Sequence, residues 1–345
     1  MGLFFFQTAH YSFSFFPHPL PNKEKMPKKV SLSPRSVRAL VDEYYETPWQ
    51  RNDEDSKLVF RFVSDLHLDM WDSANGEPFP PPPDFSKKKG SDCDVMVIGG
   101  DLHEAEDAEK FCDALRRVTV GYDHVIFVPG NHEYYSPKQH YGMSKIDNII
   151  RQCCRHVGGD TIHTLNPGVI SIGGVRFVGA TLWTPVPSQF RQWASTAMND
   201  YTQIWSNAYK YSNVTPGEID QVHSQHRKFF ADNVTSVPEN RIVAVSHHIP
   251  TFRLYDGTGQ VRFGPDLAPL YHCNDMDGII SAAGDKLRCW CCGHDHKSTA
   301  VRMVDVGFSR TNNNEDNSLF IRNALGYPTD WRKLVGFDPR MQVSV

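Results

Sequence analysis

Short apolar runs, set off by glycine and proline, mark the frame of this chain. The segments 58–64, 95–98, 125–128, 242–246 and 287–292 are dominated by Val, Ile, Leu, Phe, Trp and Cys. They are too short for helices and read as buried strands. Between the second and third runs, residues 105–118 place Ala108, Phe111, Cys112 and Leu115 on one helical face. Strand, helix, strand is a βαβ unit and implies a parallel core. Residues 146–156 carry a second helical pattern. A third helix is predicted over 216–234, where Thr215 is placed to cap and Pro216 fills the first turn. Runs at 169–172 and 175–178 flank Gly173-Gly174, a hairpin signal. Further strands are predicted over 299–304 and 318–321, and no internal repeat is visible.

The intervening segments are connections. Residues 72–93 read as a loop, proline-rich near 78–90, with Pro80, Pro81, Pro82 and Pro83 in succession and Lys87, Lys88 and Lys89 after them. Such a stretch favours an extended polyproline conformation and is expected to be a solvated excursion. Residues 250–273 form a second loop punctuated by glycine and proline. An aromatic-rich insert over 183–214 carries Trp183, Trp193, Tyr201, Trp205, Tyr209 and Tyr211. It suits either a lid that stacks a nucleobase or sugar, or a packed core of its own. The chain thus divides into a poorly packed arm, 1–50, and one domain, 51–345.

Charge narrows the partners. With 36 basic and 40 acidic residues the net charge is −4, which leaves no electrostatic footprint for bulk nucleic-acid binding. A phosphate-bearing substrate would have to be drawn by local charge, such as bound metals. Eight cysteines are too few for a disulfide framework in a chain of 345 residues, and Cys153-Cys154 and Cys291-Cys292 are vicinal. A reduced, cytoplasmic protein is expected, with Cys289, Cys291 and Cys292 packing in the core. The first sixteen residues are apolar but lack a basic start, and Gln7, His10 and Tyr11 interrupt them. They fit neither a signal peptide nor a membrane span, so no membrane partner is expected. Met26 offers a second candidate start. Nothing in the sequence sets an oligomeric state.

Five stretches bearing histidine or aspartate fall where strands should end. They are Asp65-Leu66-His67, Gly100-Asp101, Gly130-Asn131-His132-Glu133, His247-His248 and Gly293-His294-Asp295-His296. Singly, each has an ordinary reading: Asp101 or Asn131 as a helix cap, the histidines as surface or core residues. If the first strand runs on through Ser64, the spacing of Asp65 and His67 aims both side chains to one side. Together the five supply oxygen and nitrogen ligands for divalent metals, with no thiolate to favour a soft ion. His103 and Glu104, just beyond Asp101, are candidates to orient the ring of His132.

The order and residue types of these blocks resemble the calcineurin-like metallophosphoesterase superfamily, whose motifs run D-x-H, G-D, G-N-H-E, H and G-H-x-H. The similarity extends over roughly 58–340 and takes in Gly179-Ala180-Thr181-Leu182-Trp183, Asn199-Asp200-Tyr201, the run from Asn323 to Tyr327, and Phe337-Asp338-Pro339. It implies an α/β fold, a four-layer αββα sandwich of two mixed β-sheets flanked by helices. It also implies two divalent ions (Mn, Fe, Zn or similar), the first on Asp65, His67, Asp101 and His296. The second would take Asp101, Asn131, His247 and His294, so that Asp101 bridges. A hydroxide between ions about 3.5–4 Å apart would attack phosphorus, and His132 would be the general acid at the leaving oxygen. Asn131 and His132 would also contact substrate. His247, the first to leave its strand, aligns with the ligand position, which places His248 toward substrate or behind the ligands. Protein phosphatases of this superfamily carry GDxVDRG, whereas Gly100-Asp101-Leu102-His103-Glu104-Ala105 has alanine at the arginine position. The resemblance therefore points to a phosphomono- or phosphodiesterase outside that branch, acting on a phosphate-ester substrate. The competing expectation is a non-catalytic scaffold on the same fold, against which stands a complete set of ligands.

Overall fold

Alternation along the strands decides the layering. In β1 (Val59–Val63), Phe60 and Phe62 enter a central core while Val63 enters an outer one. β2 (Val95–Ile98) and β3 (His124–Phe127) split likewise, with Val95, Val97 and Ile126 inward and Met96, Ile98, Val125 and Phe127 outward. Across the central core, β6 (Val175–Ala180), β7 (Ile242–Ser246) and β8 (Leu287–Cys291) contribute Val175, Phe177, Val243, Val245, Cys289 and Cys291. Their alternate residues, including Val178, Ala244 and Trp290, form a third core on the far side. A period of two thus gives each strand two apolar faces, and both sheets are covered on both sides.

A computed structural model describes residues 57–73, 81–91, 93–209, 211–256, 269–309, 318–330 and 336–345. These lie in one compact unit, Tyr44–Val345. The arm expected at 1–50 and parts of the two loops lie outside the described residues. One sheet has the order β11-β1-β2-β3-β4, where β4 is Ile162–Thr164 and β11 is Gln342–Ser344. The other runs β5-β6-β7-β8-β10-β9, with β5 at Gly168–Ile172, β9 at Ser298–Arg302 and β10 at Leu319–Asn323. Parallel pairs make up the centre of each sheet, and β11, β5 and β9 pair antiparallel at the edges.

Helices complete the outer layers. After α1 (Leu68–Ser73), α2 (Ala108–Thr119) and α3 (Met143–Gly158) pack Phe111, Leu115, Ile146 and Ile150 on the first sheet. α4 (Arg191–Ala197) and α5 (Asp200–Gln203) lie in the aromatic-rich insert. α6 (Pro216–Val234) and α7 (Asp277–Ala283) pack Phe229, Phe230, Ile279 and Ile280 on the second sheet. The result is the expected αββα sandwich of two mixed sheets.

Local signals account for most boundaries. α6 has the predicted limits because Thr215 and Glu218 form a reciprocal capping box. Gly173 and Gly174 both adopt positive φ, 56° and 72°, as a two-residue hairpin turn requires. α2 starts at Ala108 rather than 105, because Asp107 caps it and the Ala105 N–H bonds instead to the Glu133 carbonyl at 3.1 Å. The loop over 72–93 departs from a purely solvated excursion. Phe85 is buried, its carbonyl accepts the Tyr122 hydroxyl at 3.1 Å, and its ring meets Phe337. All eight cysteines are buried free thiols. Among the described residues no helix is long and apolar enough to cross a membrane.

His226, on α6, is buried, and its Nδ1 accepts the Leu182 N–H at 3.2 Å. Burial, aided by His223, pushes its pKa down to about 3. The folded protein keeps this ring neutral while the unfolded chain takes up a proton below its ordinary value near 6.5. Stability is therefore complete above that pH and is lost as pH falls toward 3. The linkage amounts to about 2 kcal/mol at pH 5. Chemical denaturation of wild type and His226→Asn should show the gap between them narrowing by about that amount from pH 7 to pH 5. A gap independent of pH would remove His226 as the source.

Candidate metal centre

Parallel strands bring their carboxyl ends to one edge, and here two sheets share that edge. Ser64 pairs with Ala324 after β10, its N–H reaching the Asn323 carbonyl at 3.0 Å while its own carbonyl accepts Leu325 N–H at 3.1 Å. The loops beyond are bonded to one another: Asp65 N–H to Gly100 O, His67 N–H to Asp101 O, Gly293 N–H to His247 O, each at 2.8–2.9 Å. Ser64 continues the pairing of β1, but the chain turns at Asp65, so an extended strand is not what aligns Asp65 and His67. Both adopt positive φ, 52° and 42°, as do Asp101 (55°), His294 (75°) and His296 (53°). Left-handed backbone at non-glycine residues is costly and persists where the surroundings impose it. Gly130 and Gly293 permit the close approach. A Cβ on either would overlap the carboxylate of Asp101 or Asp65 respectively. Asn131, placed as a possible cap, makes no side-chain cap bond to the short 3-10 turn that follows it.

The side chains converge. Asp101 Oδ2 lies 3.7 Å from His67 Nε2 and 3.3 Å from His247 Nε2. His67 Nε2 is 3.0 Å from His296 Nε2, which is 3.7 Å from Asp65 Oδ1. His247 Nε2 is 3.0 Å from Asn131 Oδ1 and 3.1 Å from His294 Nδ1. Ligand atoms of Asp65, His67 and His296 thus form one group, those of Asp101, His247 and His294 another, and Asp101 also closes a third with His67 and His132. The structure brings all seven sequence-assigned ligands together.

Burial and mutual charge set their protonation. Burial raises the Asp65 carboxyl, an effect only partly offset by His247 and His296. Burial would raise Asp101 too, but His247, His132 and His67 hold it well below the usual carboxylate range. Burial keeps His67 and His294 well below the ordinary histidine value, so both rings offer lone pairs, as metal ligands must. His247 behaves oppositely. Burial lowers it, yet Asp101 and Asp65 push it up to about 10. The carboxylate field that would hold a proton there is the field that holds a cation. The His247 Nδ1–H is anchored 2.8 Å from the Gly99 carbonyl, which leaves Nε2 facing the centre. Ring nitrogens paired at hydrogen-bond distance beside two buried carboxylates fit divalent cations.

Neighbouring residues hold this arrangement. Glu133 accepts the backbone N–H of Asp101 (3.0 Å), Leu102 (2.6 Å) and Gly130 (2.6 Å), tying two ligand loops together. Asp65 accepts the His294 N–H at 2.9 Å, and Asp101 Oδ1 accepts the His132 N–H at 2.9 Å. His132 itself is buried and lines a cavity of about 1000 Å³, with its Nε2 3.2 Å from the Tyr327 hydroxyl. Neither His103 nor Glu104 bonds to that ring. The His103 Nδ1 lies 2.7 Å from the Glu104 carbonyl, and burial with Asp69 and Glu106 pushes the Glu104 carboxyl up to about 7. The grip of Glu133 on the N–H groups after Asp101 turns both residues onto the cavity wall instead. His248 lies behind the ligands rather than on that wall, buried against the Thr181 carbonyl and the rings of His294 and Trp183. The insert lends the cavity Asn199 and Gln203, not stacking rings. Tyr327, Asp200 and the role of Glu133 were not singled out by sequence reasoning, although all three lie in stretches that carried the resemblance.

This union of fold and donor set is that of a metal-dependent phosphoesterase. The chain belongs to the calcineurin-like phosphoesterase family, whose model matches residues 58–298. The uncharacterized protein L509 of Acanthamoeba polyphaga mimivirus is 23% identical over 270 residues, covering 74% of this chain and 93% of that one. Among solved structures, phosphopantetheinyl hydrolase from Mycobacterium tuberculosis matches with a TM-score of 0.54 at 18% identity, over 84% of this chain and 96% of that one. That likeness shows a shared fold.

Replacing Glu133 by alanine would strand three buried N–H groups, at about 1–3 kcal/mol each. Glu133→Ala should therefore lower stability by at least about 3 kcal/mol in denaturant unfolding. Unchanged unfolding would show that water replaces the carboxylate without loss.

Proposed function

We propose that the protein hydrolyses phosphate mono- or diesters at a centre of two divalent cations. The observation that carries this reading is the position of Asp101 Oδ2 between His67 and His247, one in each ligand group. Bound cations would supply a water acidic enough to attack at neutral pH and positive charge for the phosphoryl oxygens. Asp65, His67, Asp101 and His296 would hold one cation, and Asp101, Asn131, His247 and His294 the other. His132 stands beside both groups and lines the cavity, where it is placed to give a proton to the leaving oxygen. The alcohol part of the substrate would occupy the cavity, walled by His103, Glu104, Tyr135 and Tyr327. The buried free thiols support a reducing, cytoplasmic setting.

Metal-free protein reloaded with Mn²⁺, Zn²⁺ or Fe²⁺ should hydrolyse p-nitrophenyl phosphate or its bis ester. Asp101→Asn should cut turnover by about 100-fold or more, since it weakens both sites. Absence of both metal binding and turnover with every ion would overturn the reading in favour of a scaffold. His132→Ala provides a finer check. General acids contribute about 10²–10⁴-fold, but only where the leaving group needs a proton. The variant should lose far more activity on phenyl esters than on p-nitrophenyl esters. Equal losses on both would remove His132 from the acid role.

A further inference from the structure

Asp200 opens α5 in the aromatic-rich insert, within the stretch Asn199-Asp200-Tyr201, and is buried. Its Oδ1 accepts hydrogen bonds from Asn131 Nδ2–H at 2.8 Å and from the Tyr135 hydroxyl at 2.8 Å. Asn131 Nδ2 also donates to the Tyr135 oxygen at 3.0 Å. Both amide protons and the one hydroxyl proton are then used, so the triangle is closed. An asparagine amide has one oxygen and one NH₂, and only one of its two orientations presents the oxygen to a cation. A carboxylate accepts and does not donate. Asp200 therefore takes the NH₂ side and leaves Oδ1 on the far side, 3.0 Å from His247 Nε2.

The backbone reinforces the link. Ser136 N–H bonds to the Gln203 carbonyl at 3.0 Å, Tyr135 pairs with Ile204, and Gly142 pairs with Trp205. Trp205 also stacks on His140, with ring centroids 3.9 Å apart. The segment after Asn131 is thus stitched to the insert along its length.

We infer that Asp200 is a positioning residue for the metal centre: through the Asn131 amide it sets the ligand oxygen, and through α5 it makes cation affinity depend on the insert. This rests on reading the site as a metal centre, and it assigns the insert a use other than stacking a substrate.

The test is calorimetric titration of Mn²⁺ into metal-free, full-length protein. Asp200→Ala should weaken binding about 10–100-fold, and Asp200→Asn, which still accepts through its amide oxygen, should recover part of the loss. Tyr135→Phe keeps the Asn131–Asp200 bond and should lose less, and it remains informative if Asp200→Ala fails to fold. In an Asn131→Ala background, Asp200→Ala should change affinity by no more than about twofold, because the path it acts through is gone. Wild-type affinity in both Asp200→Ala and Tyr135→Phe would overturn the inference. So would an undiminished effect of Asp200→Ala without Asn131. A wild-type protein that binds no Mn²⁺ would overturn the metal-centre reading itself, and the inference with it.

Discussion

Two carboxylates, Asp65 and Asp101, are buried where the sheets meet, and the rest of the site answers to that constraint. An uncompensated charge in such a place costs several kcal/mol. Compensation comes from the histidines around them and from backbone N–H groups aimed at their oxygens, and cations held by the donor set would add to it. The left-handed backbone at Asp65, His67, Asp101, His294 and His296 belongs to the same compromise. Each loop must turn back at once to reach a common point, and the Ser64–Ala324 pairing together with the bonds between the loops keeps those turns in place.

The four-layer sandwich serves this edge. Parallel strands at the centre of each sheet send five loops to one side. Close packing of Phe60, Phe62, Phe177 and Val245 between the sheets keeps the two halves of the ligand set in register. Around it, Glu133 and Asp200 hold the donor set from outside, one through the backbone N–H groups beside Asp101 and one through the Asn131 amide. Tyr327 reaches His132 from the loop after β10, just past the pairing of Ala324 with Ser64. Ligand loops supported in this way are held by hydrogen bonds rather than by their own rigidity.

Much of the fold was legible in the chain because buried strands are apolar runs and capped helices carry local marks. β2, β7 and α6 have the limits their patterns predict. The short edge strands β4 and β11 were not legible. Each has three residues and one buried side chain, too little for a period to show. The start of α2 was misplaced because Ala105 fits the helical face, while its N–H is claimed by the distant Glu133 carbonyl. His103 and Glu104 were near His132 in expectation because both follow Asp101. In the folded chain the partner of that ring comes from Tyr327, 195 positions further along.

Residue type and order alone marked out the candidate ligands and the class of chemistry they suit. Imidazole, carboxylate and amide donors announce themselves, and each follows an apolar run that must be a strand. Tertiary structure alone decided how those donors are held: which backbone carbonyl anchors His247, which way the Asn131 amide turns, and what touches His132. Periodicity encodes which face of an element is buried. It carries no information about which remote side chain meets that face, because such contacts arise only when the layers pack.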